Sequence, residues 1–255
     1  MIVILGPTAS GKTTLAANLA YHINGEIISA DSRQIYKGMD IGTGKDLEEY
    51  KVKDKKIKYH LIDILSPAID YSVYQFKKDF FKCYEKLKNK KKNIILCGGT
   101  GLYIESILLN YSIPEIGPNQ ALRNKLERYD LEVLKNMLKN SNSLVYDKEF
   151  HITKRRIIRS IEIGDKKLSL SSQHKNNINQ SYVFGIKIGR NQLLKKIQIR
   201  LEQRLSDGLV EEVQLLINNG LTIDRLKYFG LEYKFVGEYL FNNIEFNEMK
   251  EKLNY

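Results

Sequence analysis

Short apolar runs alternate with longer amphipathic stretches along most of the chain. The apolar runs have the character of buried parallel strands, and we predict strands at Ile2–Leu5, Glu26–Ala30, His60–Leu65, Asn93–Cys97 and Tyr182–Ile188. The stretches between them show helical periodicity at Thr13–Ile23, Val73–Leu87 and Asn191–Leu205. Strands that alternate with helices are typical of α/β proteins, so we predict a doubly wound parallel sheet.

A different pattern precedes the last predicted strand. Helical periodicity covers Gln120–Lys139 and returns in a basic segment, Lys154–Ile163. We therefore predict that residues 114–181 form a helical insertion subdomain. The α/β core is expected to comprise residues 1–113 and 182–255.

The composition narrows the possible classes of protein. Hydrophobic residues make up 42% of the 255 residues, which indicates a folded protein and not a disordered one. No apolar stretch is long enough to span a bilayer or to act as a signal peptide, so we predict no membrane contact and a cytoplasmic location. Cys83 and Cys97 have neither metal-binding spacing nor a disulfide pattern, in agreement with a reducing compartment.

The chain carries a surplus of positive charge. The 41 Lys and Arg residues outnumber the 30 Asp and Glu residues and leave a net charge of +11. Such a surplus favours a polyanionic partner, because each neutralised phosphate releases a condensed counterion. A generally Lys-rich proteome would produce the same surplus, so charge alone leaves nucleic-acid binding open.

The strongest local motif follows the first predicted strand. Residues 6–13 read GPTASGKT and match G-x-x-x-x-G-K-[ST] between a strand and a helix, which is the context of a P-loop. Backbone amides and the helix N-terminus would hold phosphate oxygens, Lys12 would reach the terminal phosphate, and the Thr13 hydroxyl would ligate Mg²⁺. The predicted diphosphate-binding residues are Gly6, Thr8, Ala9, Ser10, Gly11, Lys12 and Thr13. This motif indicates a diphosphate or triphosphate but not the reaction.

Two further segments end predicted strands at the same edge of the sheet. Asp31 follows one strand, and residues 96–103, LCGGTGLY, run from another strand into a glycine turn. A carboxylate there could bind Mg²⁺ or accept a proton, or it could only cap a turn. P-loop ATPases usually end a later strand in an Mg²⁺-binding Asp, and only Asp63 could substitute here. The pattern therefore disfavours a nucleotide triphosphatase without excluding one.

The chain resembles the tRNA dimethylallyltransferase family, also called tRNA isopentenyltransferases, over almost its whole length. Four segments carry the resemblance in family order: GPTASGKT, ISADSRQIYKGMDIGTGK, HLIDIL and CGGTGLY. Further matches follow at Arg156 and Arg159 with residues 160–162, and at Arg200 with residues 208–213. A P-loop alone occurs in many enzymes, whereas this ordered set is specific.

The resemblance implies a reaction at carbon and not at phosphorus. In that family the P-loop holds dimethylallyl diphosphate, and the dimethylallyl group passes to N6 of an adenine in tRNA (position 37, next to the anticodon) with release of diphosphate. By resemblance Asp31 is the general base, Thr100 orients the adenine, and Arg200 stabilises the leaving diphosphate. The implied cofactor is Mg²⁺ near Thr13. We expect the chain to act as a monomer.

The resemblance also implies a tRNA-binding surface. The target base must leave its stack to reach the pocket, so a base-flipping channel is expected. The positions that match tRNA-contacting residues of the family are Asp31, Ser32, Arg33, Gln34, Thr100, Arg123, Arg155, Arg156 and Arg159. Without the resemblance, the arginines would be read as a solvated basic helix face.

The chain departs from the family pattern in three places. Residues 43–46 read Thr-Gly-Lys-Asp, where the family usually has Thr-Ala-Lys-Pro. Lys196 stands where an arginine often occurs. The sequence stops at Tyr255, whereas the family usually continues into a basic helix, so we expect the chain to be truncated at its C-terminus.

Three alternatives to a tRNA prenyltransferase stay open. A small-molecule kinase would fill the P-loop with ATP and use Asp31 to activate a hydroxyl, and ATP-dependent phosphorylation would reveal it. An adenylate isopentenyltransferase would prenylate free AMP or ATP, but it would not need the basic insertion. An inactive RNA-binding remnant is disfavoured by the intact Lys12, Asp31 and Arg200.

Overall fold

The chain divides into two compact units. The fold is described from a computed structural model, and the residues described are 1–141, 153–164, 178 and 180–254. The first unit comprises Met1–Asn110 and Ile178–Tyr255, and the second comprises Tyr111–Asn177. The sequence placed these boundaries at residues 114 and 181. Residues 142–152, 165–177 and 179 of the predicted insertion lie outside the described residues.

A five-stranded parallel sheet forms the centre of the first unit. Its strands are β1 (Ile2–Leu5), β2 (Gly25–Ser29), β5 (Tyr59–His60), β6 (Asn93–Gly98) and β7 (Tyr182–Gly185). Their order in the sheet is β5-β2-β6-β1-β7, and each neighbouring pair is parallel. Two short strands, β3 (Lys51–Val52) and β4 (Lys55–Lys56), form a separate antiparallel hairpin.

Both units contain helices, and those of the first unit precede, separate and follow the strands of the sheet. The helices of the first unit are α1 (Lys12–Ile23), α2 (Val73–Asn89), α3 (Gly101–Leu108), α7 (Arg190–Ser206), α8 (Leu209–Asn218), α9 (Ile223–Tyr228), α10 (Leu231–Leu240) and α11 (Phe246–Leu253). A 3₁₀ helix covers Leu47–Tyr50. The second unit contains α4 (Gln120–Leu126), α5 (Leu131–Ser141) and α6 (Lys154–Ile163).

Both faces of the sheet are covered along β1, β2 and β6, whereas the residues of the edge strand β7 are exposed. Val3 and Leu96 face one core together with Phe76 of α2. Ile4 and Ile95 face the other core, which also contains alanines of α1: Ala16, Ala17 and Ala20. The prediction of a doubly wound α/β sheet is therefore confirmed, and its strand-to-P-loop-to-helix order is that of P-loop NTPase-like proteins.

The predicted strand His60–Leu65 is wrong beyond its first residue. The backbone of Leu61 and Asp63 has φ of 62° and 55°, which a continuous strand does not allow. The N–H of Asp63 instead donates to the carbonyl of Gln34 at 3.1 Å. This segment therefore packs against the loop after β2 and does not extend the sheet.

The second unit has a small apolar core of its own. Leu126, Leu134, Leu138, Ile157 and Ile158 form its buried centre. The predicted helical stretch Gln120–Lys139 consists of two helices, α4 and α5, with a break before Leu131. The prediction of helical structure is confirmed for the residues described.

Within the part of the chain that the structure describes, no helix has both the length and the apolarity needed to cross a membrane.

Candidate active site

Three segments of the first unit meet at the carboxyl edge of the sheet. Residues 6–11 follow β1, residues 30–34 follow β2, and residues 99–100 follow β6. The three strands are adjacent and parallel, so the residues that follow them lie at one edge. The sheet therefore assembles the predicted diphosphate loop, Asp31 and Thr100 in one place.

The loop of residues 6–11 is shaped to receive an anion. Ala9 and Gly11 have positive φ angles of 60° and 83°, which turn the loop back on itself. Gly11 caps α1 without a side-chain hydrogen bond, so the first amides of the helix stay available. Among the described residues the buried hydroxyl of Ser10 has no hydrogen-bond partner, and Lys12 Nζ donates to the carbonyl of Pro7 at 2.7 Å.

Lys12, a predicted diphosphate-binding residue, interacts electrostatically with two predicted catalytic residues, Asp31 and Arg200. Burial lowers the pKa of its ammonium group, the charge of Asp31 opposes this change, and the charge of Arg200 adds to it. A second cation and a carboxylate therefore lie close enough to affect the proton of Lys12. A bound diphosphate would favour the protonated form of this lysine.

The loop after β2 presents one free carboxylate oxygen. Asp31 Oδ1 accepts the backbone N–H of Arg33 at 3.0 Å, and Asp31 is half-buried. In the described residues, Oδ2 accepts no hydrogen bond. One oxygen thus fixes the orientation of the carboxylate, while the other can accept a proton.

Thr100 connects the ends of β2 and β6. Its hydroxyl accepts the backbone N–H of Ser32 at 3.0 Å, and its own backbone N–H donates to Ala30 at 3.1 Å. Thr100 is also the N-cap residue of α3, yet its side chain makes no capping bond. A side chain at Gly98 would overlap the carbonyl of Ala30, so glycine allows this close approach.

Arg200 of α7 lies against residues 44–46 of the loop that follows β2. Its guanidinium group donates to the carbonyl of Gly44 at 3.3 Å and forms an ion pair with Asp46. Gly44 has a φ of 60°, and a Cβ atom there would overlap the guanidinium groups of Arg200 and Arg204. Glycine at this position therefore lets both arginines reach the loop.

Glu212 of α8 holds this loop through its backbone. Its carboxylate accepts the N–H groups of Asp40 and Ile41, each at 2.7 Å, and that of Gly42 at 3.1 Å. It also accepts the hydroxyl of Tyr233 at 2.7 Å. Glu212 belongs to residues 208–213, one of the segments that carry the family resemblance. The sequence alone predicted no role for it, because its partners are backbone groups that are distant in sequence.

Lys45 ties the same loop to the segment around Asp63. Its side chain is 1% exposed and donates to the carbonyl of Tyr36 at 2.6 Å and to the carboxylates of Asp40 and Asp63. These acceptors satisfy the buried ammonium group. Asp63 is therefore engaged by Lys45, which argues against its use as an Mg²⁺ ligand.

Similarity to known proteins identifies the family of this chain. A family model described as IPP transferase matches residues 34–255. The chain belongs to this family. The tRNA dimethylallyltransferase 1 of Syntrophus aciditrophicus is 43% identical to this chain, and the match covers 99% of this chain and 84% of that protein. The tRNA dimethylallyltransferase 1 of Parabacteroides distasonis is 46% identical, and the match covers 99% of this chain and 82% of that protein. A crystal structure of tRNA delta(2)-isopentenylpyrophosphate transferase from Staphylococcus epidermidis matches with a TM-score of 0.67 and 34% identity, over 99% of this chain and 84% of that one.

Two predicted tRNA-contacting residues of this IPP transferase lie beside Asp31. The Arg33 guanidinium group lies 4.9 Å from the ring centre of Tyr228, and Arg33 is half-buried. Gln34 is only 9% exposed, donates to the carbonyl of Gly44 at 3.1 Å and accepts the hydroxyl of Ser29 at 3.3 Å. These internal hydrogen bonds indicate that Gln34 positions the loop, and its contact with tRNA stays a prediction.

The predicted arginines of the second unit fall into two groups. Arg123 and Arg159 both donate to the buried carboxylate of Glu162. Burial raises the pKa of Glu162, but the hydrogen bonds from Arg123, the Asn119 N–H and Arg159 outweigh it and lower this pKa to about 2. Arg123 and Arg159 therefore have an internal role, although each stays about one third exposed.

The side chains of Arg155 and Arg156 face solvent on α6. Both residues are exposed, and among the described residues their guanidinium groups have no hydrogen bond or ion pair. These two arginines can bind phosphate without first breaking an internal contact. They are the members of the predicted basic set best placed for that purpose.

One oxygen donor near the P-loop, the Thr13 hydroxyl, fits a magnesium ion that is also held by substrate phosphates. The described residues contain no cluster of three or more His, Cys, Asp and Glu side chains that could hold a metal by itself. Thr13 lies in the first turn of α1, next to the loop that would hold the phosphates. Mg²⁺ commonly binds substrate phosphates, water and one or two protein oxygens, and Thr13 can supply one of these.

Proposed function

We propose that this IPP transferase transfers a dimethylallyl group from dimethylallyl diphosphate to N6 of an adenine in tRNA, at the position next to the anticodon. The observation that carries the proposal is the meeting of the P-loop and the free oxygen of Asp31 at one edge of the sheet. The similar proteins named above are tRNA dimethylallyltransferases, which supports this choice of donor and acceptor.

The P-loop would stabilise the leaving group. As the allylic C–O bond breaks, negative charge accumulates on the departing diphosphate. The first amides of α1, Lys12 and Arg200 would bind this charge where it develops. Thr13 would hold Mg²⁺ against the diphosphate oxygens, and the ion would supply further positive charge.

Asp31 would activate the acceptor. The N6 amine of adenine is a poor nucleophile because its lone pair is delocalised into the ring. Oδ2 of Asp31 would accept an N6 hydrogen and take that proton as the new C–N bond forms. The Thr100 hydroxyl, fixed by Ser32, would help to orient the adenine.

Binding of tRNA would need the base to leave its stack. Only an extruded adenine can bring N6 to a carboxylate at the edge of the sheet. Arg155 and Arg156 would bind the phosphate backbone, which positions the tRNA but does not read its sequence.

Both cysteines are unpaired, in agreement with the expected cytoplasmic location. One chain supplies both the P-loop and the base, in agreement with a monomer.

Analysis of the product tests this function. The chain is incubated with dimethylallyl diphosphate, Mg²⁺ and unmodified tRNA, and the tRNA is then digested to nucleosides for mass spectrometry. We expect one modified nucleoside, adenosine with a dimethylallyl group on N6. Modification of another base, or of the ribose, would contradict the proposed role of Asp31.

A further inference from the structure

The counter-ion of Arg200 in this structure is Asp46. The guanidinium group of Arg200 forms an ion pair with the Asp46 carboxylate and also donates to the carbonyl of Gly44. The side chain of Arg200 is 26% exposed and that of Asp46 is 44% exposed, so solvent and an incoming anion can reach the pair. A cation assigned to the leaving diphosphate thus already has an anionic partner from the same chain.

In the described residues the Asp46 carboxylate makes no hydrogen bond or ion pair besides the one with Arg200. Asp46 is the N-cap residue of the 3₁₀ helix Leu47–Tyr50, but it makes no side-chain capping bond. An aspartate at an N-cap usually accepts a backbone N–H of the next turn. The backbone of Asp46 is left-handed, with φ of 41° and ψ of 54°. Its carboxylate pairs with Arg200 and does not cap the helix.

The neighbouring arginine explains why Arg200 needs a counter-ion. Arg204 lies one helical turn further along α7, is 8% exposed and donates to Glu232 at 2.9 Å. Burial lowers the pKa of Arg204, and the charge of Arg200 lowers it further. Each arginine therefore has its own carboxylate, Asp46 or Glu232, which offsets their mutual repulsion.

We propose that Asp46 is an internal substitute for the diphosphate. It holds Arg200 at the loop before substrate binds, and it releases Arg200 when the diphosphate arrives. Because the two anions compete for one guanidinium group, Asp46 lowers the affinity of the site for diphosphate. The proposal rests on the proposed function only in taking diphosphate as the ligand of the P-loop.

The competition predicts a measurable gain in affinity when the carboxylate is removed. Solvent-exposed ion pairs of this kind are weak, so the gain should be about two- to fivefold. The substitution Asp46→Asn keeps the size of the side chain and removes its charge. Asp46→Gly provides a second variant, because glycine adopts the left-handed backbone of this position without strain.

Isothermal titration with inorganic pyrophosphate and Mg²⁺ tests the proposal directly. The control is Asp54→Asn, which changes the net charge equally but lies in the exposed turn between β3 and β4. We expect tighter pyrophosphate binding by Asp46→Asn and Asp46→Gly, unchanged binding by Asp54→Asn, and no effect of Asp46→Asn when Arg200→Gln is also present.

Three results would overturn this role of Asp46. They are unchanged or weaker binding by folded Asp46 variants, equal tightening by Asp54→Asn, and tightening that persists in the Arg200→Gln background. The titration requires neither tRNA nor prenyl transfer. A failure of the proposed function is therefore distinguishable from a failure of the counter-ion proposal.

Discussion

The backbone N–H of Ser32 donates a 3.0 Å hydrogen bond to the hydroxyl of Thr100. The two residues are 68 positions apart in sequence and follow two neighbouring strands. Thr100 uses its side chain for this contact and not to cap α3. The contact therefore fixes the backbone that carries Asp31 relative to the glycine turn after β6.

Removal of the Thr100 hydroxyl should slow prenyl transfer. Thr100→Ala leaves the Ser32 N–H without its acceptor, and one such lost hydrogen bond corresponds to about a tenfold lower kcat. Thr100→Ser retains the hydroxyl and should recover most of the rate. The measurement is steady-state kinetics with pyrophosphate affinity as the control. A normal kcat in Thr100→Ala would remove this residue from the mechanism.

Glu212→Gln should loosen the loop that holds Arg200. The amide cannot accept the three backbone N–H groups as the carboxylate does, so we expect a loss of about 2–4 kcal/mol in the free energy of unfolding. Pyrophosphate binding should weaken at the same time. Glu211→Gln is the matched control, because Glu211 is exposed and adjacent. Equal effects of both substitutions would show that the loop does not depend on Glu212.

The exposed arginines of α6 should affect tRNA binding alone. Arg155→Ala and Arg156→Ala should each raise the KM for tRNA and reduce the slope of log K against log salt by about one. Arg128→Ala removes an exposed arginine of the same unit outside α6 and is the control. An unchanged salt slope in both α6 variants would show that this surface does not bind phosphate.

Glu162 should make the stability of the second unit dependent on pH. Its folded-state pKa of about 2 lies below the ordinary value of 4.5, so its contribution is present above pH 4.5 and is lost as the pH falls towards 2. Glu162→Gln should cost about 2–4 kcal/mol near neutral pH, because two arginines lose their acceptor.

Hydrogen exchange of the α4–α6 amides measures this effect in the second unit. The difference between Glu162→Gln and the unchanged chain should shrink as the pH falls below 4.5. Glu132→Gln, in an exposed pair with Lys135, is the control and should have little effect. A difference that is constant over this pH range would contradict the inferred ionisation of Glu162.

The sheet, and the closeness of the loops that follow β1, β2 and β6, could be predicted because both depend on local sequence patterns. Apolar runs identified β1, β2 and β6, and a P-loop motif requires a strand before it and a helix after it. Parallel strands end at one edge, so the closeness of residues 6–13, Asp31 and Thr100 followed from topology alone.

The internal roles of polar residues could not be predicted from the sequence. Glu212 binds backbone groups about 170 positions away in sequence, and Lys45 and Gln34 bind backbone carbonyls of the same irregular loop, which leave no pattern in the sequence. The pairing of Arg123 with Glu162 likewise depends on how α4 and α6 pack together. A sequence shows the charge of these residues but not whether it is already satisfied.

Labelled dimethylallyl diphosphate, offered with unmodified tRNA, AMP or ATP, tests the central claim most directly. The unchanged chain should label tRNA only and release one diphosphate per transfer. Asp31→Asn should bind pyrophosphate normally but transfer at least about a hundredfold more slowly, since the amide accepts the Arg33 N–H but not a proton. Labelling of AMP or ATP, phosphoryl transfer from ATP, or full activity of Asp31→Asn would contradict the account.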